Sequence, residues 1–128
     1  NALSGNLGFL TNGNVQAKLM GTFTNSTYGE VPLWGANPDG TGTVAGYKAL
    51  TSNQVPANLT KGTGTSLSAL FFGNWADLVI GQWGALEVAI DESTYFSSGD
   101  IQLRVLADVD IAIRHPESFV VCKDIVTT

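Results

Sequence analysis

The stretch Ile101-Gln102-Leu103-Arg104-Val105-Leu106-Ala107-Asp108-Val109-Asp110-Ile111-Ala112-Ile113-Arg114 decides how this chain is read. Every odd position is apolar, and most even positions are polar or charged. A period of two sustained in this way marks a β-strand with one wholly apolar face. At about 3.3 Å per residue such a strand reaches roughly 46 Å, longer than most strands of small globular domains. His115-Pro116 interrupts it, because proline lacks an amide donor and restricts the residue before it. Phe119 to Ile125 then reads as another strand, expected to return against the same sheet.

Upstream of the long strand the apolar spacing stays extended. Leu86, Val88 and Ile90 alternate with Glu87 and Ala89, and Asp77 to Trp83 and Leu67 to Gly73 read as further extended segments, with a turn at Asn74-Trp75. Asp91 to Asp100 is a polar connection. Near the start, Leu7 to Leu10 predicts a short buried strand, followed by a short helix over Val15 to Met20. Asn12 or Asn14 is placed to cap that helix, and Gly21 to end it. Residues 21–45 read as an irregular excursion with one short edge segment at Val31-Pro32-Leu33-Trp34. Gly46 to Ser52 reads as a strand, and Asn53 to Ser66, with Lys61-Gly62-Thr63-Gly64, as a flexible loop. The fold class is therefore α+β, dominated by sheet, with one or two short helices.

Composition narrows the function. The 128 residues are 44% hydrophobic and only 13% charged, against about 25% charged in an ordinary soluble domain, so part of the surface is expected to meet other protein. The net charge of -5 and the scattered six Lys and Arg leave no basic stripe for sequence-specific nucleic-acid binding. No apolar run approaches the ~18 residues of a membrane span, and no signal-like segment is present. Cys122, the single cysteine, forms no intrachain disulfide, and beside Val120 and Val121 it reads as a buried structural thiol. A first residue of Asn1 rather than Met fits a processed product or a piece of a longer chain.

No catalytic constellation emerges. His115 is the sole histidine and has no partner by spacing, so it reads as punctuation at the strand exit. Asp108 and Asp110 share a strand face as a divalent-cation site would require. Arg104 and Arg114 lie on that same face, which makes cross-strand or cross-subunit ion pairing the more economical use. Asp91 and Glu92 are adjacent and so point apart, unlike the facing carboxyls of a glycosidase. Lys61-Gly62-Thr63-Gly64 lacks the phosphate-loop spacing, and no Gly-x-Ser-x-Gly elbow exists. Trp34, Trp75 and Trp83 suggest a sugar-binding platform, although core packing suits Trp75 and Trp83 better. Asn25-Ser26-Thr27 and Asn58-Leu59-Thr60 match glycosylation sequons, which Asn- and Thr-rich chains also contain by chance. No metal, cofactor or catalytic residue is assigned.

Four stretches, taken in order, resemble the tailed-phage major capsid family. They are Asn53-Gln54-Val55-Pro56, Gly73-Asn74-Trp75-Ala76-Asp77, Gly81-Gln82-Trp83-Gly84 and Arg114-His115-Pro116-Glu117-Ser118-Phe119. The likeness is good over roughly residues 46–125, and looser over Phe9 to Asn12 and Val15 to Leu19. It implies the C-terminal portion of a Hong Kong 97-like capsid subunit, with residues 1–98 as axial-domain material and 99–128 as strands returning to the peripheral domain. It implies a non-enzymatic subunit that self-assembles into pentamers and hexamers of an icosahedral shell. Such a shell is built in the bacterial host cytoplasm, resides in the virion, and contacts packaged DNA only non-specifically; other virion proteins are possible partners. An encapsulin-like compartment shell shares that fold and is the alternative within the class; a carbohydrate-binding β module is the alternative outside it.

Two features depart from the family pattern. Gly13 stands where many relatives have proline. Ser97-Ser98-Gly99-Asp100 carries no asparagine where some members form a Lys–Asn crosslink, so covalent crosslinking is not carried over. The expected subunit-interface residues are Arg104, Asp108, Asp110 and Arg114 on the long strand, with Asn37 and Asp39 in the 35–45 loop and Lys61 in the 55–66 loop.

Overall fold

A computed structural model describes residues 4–24 and 31–127. The sequon at Asn25-Ser26-Thr27 lies outside the described residues. Backbone contacts divide the chain into two units, Asn1–Asp77 with His115–Thr128, and Leu78–Arg114.

The first unit is built on a seven-stranded sheet. Strand β1 (Leu7–Thr11) leads into helix α1 (Gly13–Met20), and β2 (Trp34–Ala36), β3 (Gly42–Val44) and β4 (Tyr47–Thr51) follow. Next come β5 (Leu59–Lys61) and the long β6 (Gly64–Asn74). The order is β2-β3-β4-β1-β6-β5, and the last strand of the chain, β9 (Phe119–Val126), also pairs with β6. Only β1 and β4 are parallel, and α1 lies in the crossover that such a pair requires.

Helix α1 forms where expected and begins two residues early. Asn12 caps it, its Oδ1 accepting from the Val15 amide at 3.0 Å while its Nδ2 donates to the Pro56 carbonyl at 3.0 Å. The cap thus ties the helix start to the Val55-Pro56 segment, whose Pro56 carbonyl also accepts from the Ala69 amide at 3.1 Å. Val15, Val55, Leu67 and Ala69 are buried around this joint, and Thr11 donates to the Ala69 carbonyl at 2.9 Å. The loop expected to be flexible over 53–66 is therefore anchored at one end. At the other end it becomes the β5–β6 hairpin, turning at Gly62 with φ +60°. That backbone region is open to glycine without steric cost.

The excursion over 21–45 also differs from expectation. Phe23 and Pro32 form an isolated bridge, and the strand there is β2, one hairpin arm of β2–β3. Trp34 is buried with its ring over Gly42, where an added Cβ would fall 2.2 Å from the indole.

The second unit is a single antiparallel hairpin, β7 (Leu78–Asp91) with β8 (Gln102–Ile113). The two extended segments expected over 77–90 are one strand with a register shift between Trp83 and Glu87. Gly84, at φ +77°, supplies the backbone turn that the shift needs. The expected long strand is present, shortened by one residue at each end.

One correction concerns β9. It does not return against the long strand: its partner is β6, from Gly73↔Phe119 to Leu67↔Val126. A period-two pattern specifies which face is apolar and leaves the partner open. A second correction concerns Cys122, which is exposed. The apolar pair beside it, Val120 and Val121, is itself exposed, so its neighbours did not imply burial.

Candidate functional site

Register along the β7–β8 arm assigns every side chain to a face, because directly paired residues point the same way. One face carries Ile80, Val88 and Ile90 from β7 with Leu103, Val105, Val109, Ile111 and Ile113 from β8. All eight are exposed, Ile80 and Ile90 by 64% and Ile111 by 63%. If each leaves roughly 60–120 Å² of apolar surface in water, the face presents on the order of 600 Å². That equals or exceeds the largest apolar patch of an ordinary monomer, about 300–600 Å². A two-stranded ribbon is also marginal in water without a covering layer. The arm therefore carries an extended, exposed apolar face.

The opposite face is mixed, with the charged side chains of the arm interleaved among exposed Val79, Trp83 and Leu106. Arg104 stands across from Ala89, Asp108 from Trp83 and Asp110 from Gly81, with Glu87 across from Leu106. The expected face sharing of Arg104, Asp108 and Asp110 is present, and Arg114 lies just beyond the end of β8. None of them makes an ion pair among the described residues, whose only two pairs are Lys61–Asp124 and His115–Asp77. No group of three metal-ligating side chains occurs among the described residues either.

The loop candidates lie elsewhere. Asn37 and Asp39 belong to the β2–β3 turn, where they satisfy each other's neighbours. The Asn37 Nδ2 donates to the Thr41 hydroxyl at 3.2 Å, and Asp39 accepts from that hydroxyl at 2.6 Å and from the Thr41 amide at 3.0 Å. The Thr41 hydroxyl holds the Asp39 carboxyl below its ordinary pKa. Lys61, at the end of β5, pairs with Asp124 of β9 at 2.5 Å. The bond raises the lysine pKa and, together with the Cys122 thiol, lowers that of the aspartate.

The tryptophans do not form a sugar platform. Trp34 is buried. Trp75 is half-buried, stacked edge-on against Phe119 at 5.6 Å, with its Nε1 donating to the Gly8 carbonyl at 3.0 Å. Trp83, expected in the core, is 62% exposed on the arm, its ring lying over Gly81.

Where the arm leaves the sheet unit, two of the motif stretches lock together. Asp77 accepts from the Ser118 hydroxyl at 2.7 Å and from the Asn74 Nδ2 at 3.1 Å, and its other oxygen pairs with His115 Nδ1 at 3.3 Å. The Ser118 hydroxyl is the main influence holding the Asp77 carboxyl below its ordinary pKa, with His115 assisting. Asn74 Oδ1 also accepts from the Asn6 amide at 3.0 Å. Phe119 packs directly on Gly73, where an added Cβ would sit 2.3 Å from its ring. Spacing along the sequence hid these partners from His115. The only available signal was that Gly73-to-Asp77 and Arg114-to-Phe119 are both family-like stretches.

Residues 1–124 match the phage capsid family. The chain belongs to the phage capsid family. Over 123 residues it is 32% identical to a major capsid protein of Halomonas phage phiHAP-1, covering 96% of this chain and 18% of that protein. Over 90 residues it is 33% identical to a major capsid protein of Klebsiella oxytoca phage phiKO2, covering 62% of this chain and 21% of that protein. The chain therefore spans about one fifth of the length of these relatives. The four capsid-family stretches have distinct places in the structure. Val55-Pro56 pins the helix cap, Gly73-to-Asp77 and Arg114-to-Phe119 close the root of the arm, and Gly81-to-Gly84 shapes the register shift within it.

Proposed function

We propose that the chain is a structural, non-catalytic part of a tailed-phage capsid subunit with a Hong Kong 97-like fold. Copies of the subunit assemble into pentamers and hexamers of an icosahedral shell around the packaged genome, in the cytoplasm of the bacterial host. On this reading residues 1–98 supply axial-domain material and 99–128 the strands returning to the peripheral domain. Contact with DNA is non-specific, and other virion proteins meet the shell without a dedicated ligand site. The family match over residues 1–124 carries the proposal.

The arm supports it independently. A shell subunit associates through many modest contacts that symmetry multiplies, and it presents apolar surface that a free monomer would hide. The charged residues Arg104, Asp108 and Asp110 have no ion partner among the described residues and suit contacts that select register between subunits. Arg114, Asn37, Asp39 and Lys61 remain interface candidates on the same proposal.

Light-scattering mass and negative-stain microscopy test it, on this chain and on a longer polypeptide that contains it. Rings or shells from the longer polypeptide are expected, and Ile80→Lys with Ile111→Lys is expected to reduce association while leaving the far-ultraviolet circular dichroism of the sheet intact. A polypeptide that stays monomeric across concentration and salt overturns the shell reading.

A further inference from the structure

We infer that Asp77 is an acid-sensitive latch that closes the root of the β7–β8 arm. The chain passes from the sheet unit into the arm at 77/78 and back at 114/115. Asp77 is the last residue before the first passage, and its carboxylate reaches both residues that follow the second, His115 and Ser118. Asn74, at the end of β6, holds the same carboxylate from the opposite direction. Three donors from two segments about forty residues apart in sequence thus converge on one acceptor group.

This arrangement fixes the distance between the two passages, and so whether the first pairs of the arm, Leu78↔Ile113 and Val79↔Ala112, remain formed. Ribbon ends fray most readily because a terminal pair has a neighbour on one side only. A tie at the root removes that freedom without touching the rest of the ribbon.

The groups around the latch set its response to pH. His115, from the turn before β9, is the one ionisable side chain paired with Asp77 among the described residues. Asn74 from β6 and Ser118 from the turn are uncharged, and the flanking Arg114 and Glu117 make no ion pair with Asp77. All three bonds are made to the ionised carboxylate. Their contribution is complete above the ordinary aspartate pKa and is lost as pH falls through the depressed value of Asp77. The latch therefore opens on the acid side.

Nuclear magnetic resonance on this chain tests the inference, following amide exchange and chemical shifts at residues 78, 79, 112 and 113. Asp77→Ala is expected to accelerate exchange roughly tenfold or more at neutral pH at whichever of the two root pairs bonds its amides across the strands, and to shift the resonances of all four residues, with the distal pair Ile90↔Leu103 and the sheet residues Thr11 and Ala69 unchanged. In the wild type the root resonances shift as pH falls, and in Asp77→Asn that transition disappears. Ser118→Ala, a milder change, gives a smaller effect in the same direction and serves if Asp77→Ala does not fold. Root protection in Asp77→Asn and Ser118→Ala equal to wild type overturns the inference. So does loosening that is equal at the root and at Ile90↔Leu103, because a general loss of stability is not a latch.

Discussion

Gly73→Ala is expected to be among the most damaging single-methyl changes in this chain. Gly73 lies in β6 opposite Phe119 of β9, and an added Cβ would sit 2.3 Å from the Phe119 ring and 2.7 Å from the Ser118 carbonyl oxygen. The ring can rotate; the carbonyl oxygen is backbone and moves only if β9 shifts. Overpacking of this kind costs about 1–3 kcal/mol. Moving Phe119 also weakens its edge contact with Trp75, an interaction of about 0.5–1.5 kcal/mol. Against this, alanine lowers the entropy of the unfolded chain, which returns about 0.4–1 kcal/mol. The net destabilisation is about 2 kcal/mol. With an unfolding entropy of roughly 2.1 cal/mol/K per residue over 128 residues, the melting temperature falls by about 7 °C.

Thermal melts followed by near-ultraviolet circular dichroism and tryptophan fluorescence measure this, with Gly13→Ala as the control. Gly13 has nothing within 4 Å of its added Cβ and opens α1, so that variant is expected to be neutral or slightly stabilising. A Gly73→Ala protein that melts with Gly13→Ala, its Trp75 signal unchanged, would show that the close approach of β6 and β9 is not needed for stability.

Asn12→Ala removes both the helix cap and the bond to the Pro56 carbonyl, with an expected loss of about 1–2 kcal/mol in urea unfolding and faster proteolysis within residues 53–58. Lys61→Met breaks the Lys61–Asp124 pair, whose members are 67% and 43% exposed, and is expected to leave the urea midpoint unchanged at high salt. Asp91 accepts from the amides and hydroxyls of Ser93 and Thr94 at the end of β7. These bonds, that of the Thr94 hydroxyl foremost, depress its pKa far below the ordinary value. The turn is therefore held throughout the neutral range, and carboxyl resonances followed against pH should place Asp91 below a free aspartate.

The sequence by itself determined the elements whose information is local. The alternation over 101–114 specified a strand with one apolar face, since side-chain direction follows from backbone period alone. Asn12 and Asn14 announced a helix start, since a cap acts within one turn, and the structure chose Asn12. The low charge content announced contact surface, and the ordered capsid-like stretches announced the family. What the tertiary structure decided was partnership. Strand β9 chose β6 instead of β8, because its six pairs with β6 seat Phe119 on a glycine and beside Trp75, a fit invisible to a pattern of period two. Asp77 found His115 and Ser118 because the arm between them is a hairpin that brings its own ends together. Cys122 and Trp83 came out exposed where their neighbours suggested burial, because burial depends on what covers a face, and a strand's own sequence does not contain its cover.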